Sequence, residues 1–174
     1  LNWYPGHMAK TKNEVKKIMP LIDVVFELID ARIPYSSKMR DIDDIIKNKF
    51  RVLVMTKKDL CDISVTNKWI NYYENLGYKV VLTNLSSGDD YKDVLNATSE
   101  VINKINDIRK EKGLKPKEIK ALVMGVPNVG KSTFINKLAH KKVASTGNKP
   151  GVTKSNTWLK TKYNMVILDT PGVL

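Results

Sequence analysis

Short, continuous runs of apolar residues alternate along the chain with segments in which apolar residues recur at helical spacing. The runs cover residues 24–29, 52–55, 80–83, 121–124 and 166–168. Such runs are typical of strands that are buried on both faces, which occur mainly in parallel sheets. Helical spacing relates Val65, Trp69, Tyr72, Tyr73 and Leu76, then residues 94–108, and then a segment that begins at Lys131. This order predicts an α/β fold, a doubly wound and mostly parallel sheet with helices on both faces.

Two segments bear on the edges and the domain organisation. Residues 155–159 and 165–169 predict a β-hairpin, so one antiparallel strand is expected at an edge of the sheet. The lysine-rich segment 112–118 is the candidate for a linker, which could join two domains or form a loop within one. A length of 174 residues favours a single domain over 1–174.

The charge of the chain indicates a polyanionic partner. Lysine and arginine total 30 against 18 acidic residues, a net charge of +12. Residues 121–174 hold eight lysines and one carboxylate, Asp169. We expect RNA as the partner, with neither DNA nor a membrane, although charge that serves only solubility is the alternative.

Cysteine content and hydropathy indicate a cytoplasmic protein. Cys61 is the only cysteine, so no internal disulfide can form. No apolar run approaches the roughly 20 residues of a membrane span, and we expect no signal peptide.

A phosphate-binding loop is predicted at residues 125–132, with the sequence GVPNVGKS. It follows an apolar run and precedes a helical segment, which is the strand–loop–helix context that such a loop needs. Two glycines allow the backbone N–H groups to face a phosphate, Lys131 can bridge the β- and γ-phosphates, and the Ser132 hydroxyl can bind Mg²⁺. The predicted phosphate contacts are Asn128, Val129, Gly130, Lys131, Ser132 and Thr133.

Three further segments favour a guanine nucleotide. DTPG at 169–172 places Asp169 near Mg²⁺ through a water molecule and the Gly172 N–H near the γ-phosphate. TKKD at 56–59, with Thr56, Lys57, Lys58 and Asp59, ends a predicted strand. The Asp59 carboxylate can accept the N1–H and 2-amino groups of guanine, and we expect it to be buried. Asn84 and Leu85 end another strand and can present a backbone N–H to the guanine O6.

These motifs resemble the five signature motifs of translation-factor-type GTPases, but the guanine motifs precede the phosphate loop. That order is a circular permutation and is similar to the YlqF/YawG group. Segments 3–10 (WYPGHMAK) and 30–37 (DARIPYSS) narrow the resemblance to the bacterial members that assemble the large ribosomal subunit. Thr56 stands where many GTPases have Asn, which leaves one supporting hydrogen bond in question.

The resemblance implies a slow GTPase, stimulated by the ribosomal subunit, that acts in late maturation of the 50S subunit. It would bind GTP or GDP with Mg²⁺, contact rRNA in the GTP state, and leave after hydrolysis. Ribosomal proteins are further expected partners. The family continues into a helical RNA-contacting domain, which we expect to be absent from a chain that ends at Leu174.

The resemblance also suggests how hydrolysis is assisted. Val173 occupies the position at which small GTPases carry a water-orienting glutamine. His7, in a predicted Pro-Gly-His-Met turn, would orient the water, or a group of the ribosomal partner would do so. Thr153 is the expected second Mg²⁺ hydroxyl, and Asn128 would help to hold K⁺. Two rival hypotheses are a P-loop ATPase and a non-enzymatic RNA-binding module with a structural nucleotide pocket.

Overall fold

The computed structural model describes residues 5–38, 43–46, 48–86, 88–126, 129–142 and 157–169. For residues 5–11, 88–90, 140–142, 157 and 169 it describes the backbone alone. Its centre is a sheet with the strand order β3-β2-β1-β4-β7-β6-β5. The strands are β1 (Val24–Asp30), β2 (Phe50–Thr56), β3 (Lys79–Leu82), β4 (Ile119–Gly125), β5 (Ala139–Lys142), β6 (Thr157–Thr161) and β7 (Met165–Asp169).

The first five strands of that order are parallel, as the continuous apolar runs predict. Every residue of β1 is buried, because helices cover both faces of the sheet there. Phe26 and Leu28 point to one face, whereas Val25 and Ile29 point to the other. The predicted α/β fold with a mostly parallel sheet is therefore confirmed.

Five α-helices accompany the sheet in the described part of the chain. They are α1 (Pro5–Ile18), α2 (Asp43–Ile46), α3 (Ile63–Asn75), α4 (Gly88–Glu111) and α5 (Lys131–Leu138). Helices α4 and α5 cover one face, where the Phe134 ring lies 5.6 Å from that of Phe26. Helices α1 and α3 cover the other face through Val15, Ile18 and Tyr73. No helix among the described residues is both long and apolar enough to cross a membrane.

The edge next to the predicted hairpin differs from expectation. Strands β6 and β7 are antiparallel, as predicted. However, β6 is not the edge strand, because β5 pairs with its other side in antiparallel orientation. Strand β5 has the sequence AHKK, so it lacks the apolar run by which the other strands could be recognised.

The described part of the chain begins with a helix that the apolar pattern does not predict. Helix α1 has a mostly polar sequence, and among its described side chains, those of residues 12–18, Val15 and Ile18 are buried in the core. The Pro-Gly-His-Met segment is consequently the first turn of α1 rather than a separate turn. This finding corrects the predicted setting of His7, whose side chain lies outside the described residues.

The segment 112–118 connects α4 to β4 as a loop next to the sheet. The Lys117 ammonium lies 2.7 Å from the Asp23 carboxylate, and the Lys117 N–H donates to the Asn106 side chain. The other carboxylate oxygen of Asp23 accepts from the Lys120 N–H at 2.8 Å. These contacts fix the route by which the chain returns from the guanine motifs to the strand of the phosphate loop.

Candidate functional site

The predicted nucleotide residues meet at the carboxyl ends of β2, β3 and β4, where parallel α/β sheets place their ligand sites. A cavity of about 250 Å³ opens there, slightly smaller than the roughly 300 Å³ at which whole-ligand pockets begin. It therefore suits part of a nucleotide. Its lining consists of Thr56, Lys57, Asp59, Leu60, Asn84, Leu85, Ser86, Val129, Gly130 and Thr133.

The phosphate loop begins and ends at glycines that no other residue could replace without strain. A Cβ atom at Gly125 would lie 2.8 Å from a Val129 methyl group and 2.9 Å from the Leu28 carbonyl oxygen. Gly130 has a φ of 105°, a conformation that other residues rarely adopt, and it caps the N-terminus of α5. The free N–H groups and positive dipole end of α5 therefore adjoin the cavity, as an anion site requires.

Thr56 joins the guanine motif to the phosphate loop. Its side chain is buried, and its hydroxyl oxygen lies 2.7 Å from the Val129 carbonyl oxygen and 3.2 Å from that of Ile29. One hydroxyl proton serves one acceptor at a time, and the shorter contact is to the phosphate loop. The departure from the Asn of other GTPases thus retains a hydrogen bond between these two motifs.

We expect Thr56→Val to lower the free energy of unfolding by about 1–3 kcal/mol, because the Val129 carbonyl group loses a buried partner. Nucleotide affinity should fall as well, since the phosphate loop is no longer tied to β2. Thermal melts with and without GDP measure both effects. The matched control is Thr98→Val, whose hydroxyl donates to Val94 within α4 and lies away from the cavity. Parental GDP affinity in Thr56→Val would contradict the assignment.

The turn after β2 carries residues 56–59, the motif predicted to read the base. Lys57 adopts a left-handed conformation with a φ of 63° and caps a 3₁₀ turn over Lys58–Leu60. The Lys58 N–H donates to the Thr83 carbonyl oxygen at 3.2 Å, which fixes this turn to the end of β3. Lys58 does not line the cavity. Asp59 lines the cavity, but it is exposed rather than buried as expected. An unpaired Asp59 carboxylate would therefore lower the affinity for a base only where that base shields the carboxylate from water.

The second base motif follows β3. The Asn84 side-chain oxygen accepts from the Ser86 N–H at 3.0 Å and so shapes the loop at the cavity wall. Leu85 is buried, and its side chain would lie 3.2 Å from a Cβ atom at Gly130. Sequence reasoning missed Ser86 and the exposed Leu60 as lining residues. Their proximity in sequence to Asn84 and Asp59 was the available signal.

The first turn of α5 holds the residues that are predicted to contact the phosphates. Lys131 is half-buried, and this burial lowers the pKa of its ammonium group. A phosphate placed beside Lys131 would favour the charged form and raise that pKa again. Ser132 and Thr133 are exposed in the same turn. Thr133 lines the cavity, whereas Lys131 and Ser132 do not.

Several predicted site residues lie wholly or partly outside the described structure. Asn128, Thr153, Gly172 and Val173 belong to segments that the structure does not describe. Asp169 is described by its backbone alone, at the end of β7. Because β7 pairs in parallel with β4, this backbone lies at the carboxyl ends of the strands, as the phosphate loop does.

The described side chains include no group of three or more His, Cys, Asp or Glu residues that could hold a metal ion. Mg²⁺ at phosphate sites needs only one or two protein oxygen ligands besides phosphate oxygens and water. The exposed Ser132 hydroxyl at the start of α5 fits that requirement.

Comparisons with known proteins agree with this geometry. Residues 120–174 match the family model described as "50S ribosome-binding GTPase". The matched part contains the phosphate loop and the DTPG motif, and both guanine motifs precede it. The ribosome biogenesis GTPase A of Bacillus licheniformis is 46% identical over 174 residues, which are 100% of this chain and 62% of that protein. The protein of that name from Thermotoga maritima is 33% identical over 100% of this chain and 59% of its own length.

Solved structures show the same fold. The crystal structure of GNP-bound YlqF from T. maritima matches with a TM-score of 0.66 and 28% identity, over 95% of this chain and 58% of that one. Its GDP-bound structure matches with a TM-score of 0.59. The chain thus spans about three fifths of the length of these relatives. Fold, order of motifs and similarity over the whole chain agree, and over its whole length the chain is similar to the circularly permuted GTPases that include YlqF.

Proposed function

We propose that this chain is the GTP-binding and GTP-hydrolysing domain of a factor that acts in late maturation of the large (50S) ribosomal subunit. The observation that carries the proposal is the hydrogen bond between Thr56 and Val129, which unites the guanine motif and the phosphate loop in one cavity. A cytoplasmic location fits this function.

The described geometry supports a division of labour in binding GTP. Asp59 accepts the N1–H and 2-amino groups of the base, and the loop that begins at Asn84 offers a backbone N–H to O6. The start of α5 receives the phosphates through its free N–H groups, with Lys131 between the β- and γ-phosphates. Guanine discrimination then comes from a carboxylate that adenine cannot satisfy.

Hydrolysis requires a water molecule aligned with the γ-phosphate, and Val173 cannot orient one because its side chain forms no hydrogen bonds. We assign this role to His7. Its backbone lies in the first turn of α1, and helix α1 packs through Val15 on the face formed by β1, β4 and β7. The isolated domain should consequently be a slow GTPase.

Ser132, Thr153 and, through water, Asp169 would hold Mg²⁺, which neutralises charge that develops on the phosphates, and Asn128 would help to hold K⁺ for the same purpose. We expect Ser132→Ala and Thr153→Ala each to impair Mg²⁺-dependent turnover, with a smaller loss of GDP affinity for Thr153→Ala. Exchange of Na⁺ for K⁺ should raise the rate. Ser64→Ala, in the exposed first turn of α3, is the control. Equal rates in the two salts would remove Asn128 from this role.

The partner proposed is rRNA of the immature large subunit, together with ribosomal proteins. The net charge of +12 supports a polyanionic partner, and the relatives are named as ribosome biogenesis GTPases. Phosphate contacts dominate such association, so binding should weaken steeply as salt rises.

Turnover measured with and without immature large subunits tests this function. We expect the subunits to raise GTP turnover by orders of magnitude at low salt, because docking orders the site around the γ-phosphate. His7→Ala should bind GTP normally and lose most of this stimulation. The other histidine provides the control, His140→Ala. Full stimulation of His7→Ala would show that another group orients the water.

A further inference from the structure

Asp30 ends β1 beside the nucleotide cavity but does not line it. Its side chain is only 7% exposed. One carboxylate oxygen accepts from the Arg32 backbone N–H at 2.9 Å and from the Arg32 Nε at 3.0 Å. The other oxygen lies 2.7 Å from a terminal nitrogen of Arg32 and 3.1 Å from the Lys57 ammonium. One buried carboxylate therefore holds two cations at the edge of the cavity.

The ion pair with Lys57 bears on the base-reading turn. Lys57 lines the cavity in a left-handed conformation, which is unfavourable for a residue with a Cβ atom. Such a conformation persists only where surrounding contacts hold it. The contact with Asp30 is one that does so, and it directs the Lys57 ammonium toward β1.

The position of Asp59 explains why these cations need to be held. Asp59 is exposed and lies two residues after Lys57. Arg32 is also close enough for the charge of Asp59 to contribute to raising the pKa of its guanidinium, after the larger contribution of Asp30. A cation that paired with Asp59 would occupy the oxygens that a guanine base must reach.

Asp30 is better placed than Asp59 to form ion pairs with Arg32 and Lys57. An ion pair gains strength as water is excluded, and Asp30 is buried whereas Asp59 is exposed. Burial alone would raise the pKa of Asp30, but the hydrogen bonds from Arg32 and Lys57 lower it to about 2. The Asp30 N–H donates to the buried Ser37 hydroxyl at 2.9 Å. Lys38, the next residue, forms an ion pair of 2.7 Å with the buried Glu27 and so fixes the end of the loop that follows Asp30 to β1.

We propose that Asp30 is a positioning residue for base selection, because it holds Lys57 and Arg32 away from Asp59 and leaves that carboxylate free for the N1–H and 2-amino groups of guanine. This inference rests on the proposed function, in which Asp59 reads the base. Asp30 itself does not touch the nucleotide.

The affinity ratio of GDP to IDP tests the inference, because IDP lacks the 2-amino group. We expect the parent to favour GDP, and Asp30→Asn to lower the ratio by roughly fivefold to tenfold, since a released cation pairs with Asp59. Adding Arg32→Gln to Asp30→Asn should restore part of the ratio. A structural defect would weaken both nucleotides equally. The control is Asp23→Asn, which loses an ion pair at the opposite end of β1.

Two substitutions of the exposed Arg32, to lysine and to glutamine, test the same inference if Asp30→Asn does not fold. Lysine cannot make the two-point contact of arginine, so Arg32→Lys leaves a loosely held cation beside Asp59 and should lower the ratio. Arg32→Gln removes the cation and should keep the parental ratio. A parental ratio in Arg32→Lys, and in Asp30→Asn where that variant folds, would overturn the inference. Absence of any GDP preference in the parent would instead refute the role of Asp59.

Discussion

Asp59→Asn should reduce GTP affinity by about a hundredfold, because one hydrogen bond to the carboxylate is lost and the other loses its charge, at roughly a factor of ten each. The amide can no longer accept both the N1–H and 2-amino groups of guanine. It can donate to the 2-carbonyl group of xanthine, so XTP should bind the variant more tightly than GTP does. Competition of GTP, XTP and ATP for the parent and the variant measures the change.

The matched control for this variant is Asp62→Asn. Asp62 lies three residues further along and caps α3 by accepting from the Ser64 and Val65 N–H groups. Asparagine caps helices about as well as aspartate, so both stability and nucleotide preference should stay close to those of the parent. Parental GTP affinity in Asp59→Asn would remove Asp59 from the site. Equal affinity of the parent for ATP and GTP would favour the ATPase hypothesis.

Lys131→Ala should lower the affinity for GTP and GDP by two or more orders of magnitude, on the order of 3 kcal/mol, because a charged contact to the phosphates is lost in a half-buried site. Without nucleotide, the variant should melt at or above the parental temperature, since the ammonium is half-buried at a cost in hydration. Calorimetric titration with GDP and thermal melts provide the two readouts.

The lowered pKa of Lys131 adds a pH dependence. Phosphate binds the charged form, so the affinity of the parent for GDP should begin to fall at a pH below the ordinary lysine value of 10.5. Lys137→Ala, in the last turn of the same helix, is the control. If Lys131→Ala lost nucleotide binding and still associated with immature subunits as the parent does, the non-enzymatic RNA-binding hypothesis would be favoured.

The sequence predicts the fold where local pattern and environment agree. Strands β1, β2, β3, β4 and β7 lie within one or two residues of the apolar runs, because strands in the interior of a covered sheet are rich in apolar residues. Strand β5 and helix α1 carry few apolar residues, and their structure depends on neighbours distant in sequence. No local pattern reports such neighbours.

The candidate site likewise contains residues that local motifs predict and contacts that only the folded structure reveals. Motif spacing brings Lys57, Asp59, Asn84 and Gly130 to one cavity, since glycines and strand ends are local features. The bond from Thr56 to Val129 spans 73 residues and depends on the packing of three strands. Asp30 lies in segment 30–37, from which the sequence predicts no site residue. Its ion pair with Lys57 depends on the pairing of β1 with β2, which no local motif predicts.

The position of β1 between β2 and β4 determines how this domain can assemble during synthesis. Strands β1 and β2 leave the ribosome early and can pair at once, but the other side of β1 waits for β4. Asp23 and Lys120, which are bonded at that junction, are 97 positions apart. At about 5–20 residues per second, the growing chain therefore leaves one side of a buried and mostly apolar strand unpaired for roughly 5–20 s. An unpaired strand invites wrong pairing, so the permuted order gives the nascent chain a period of vulnerability to aggregation that ends when the phosphate-loop strand arrives.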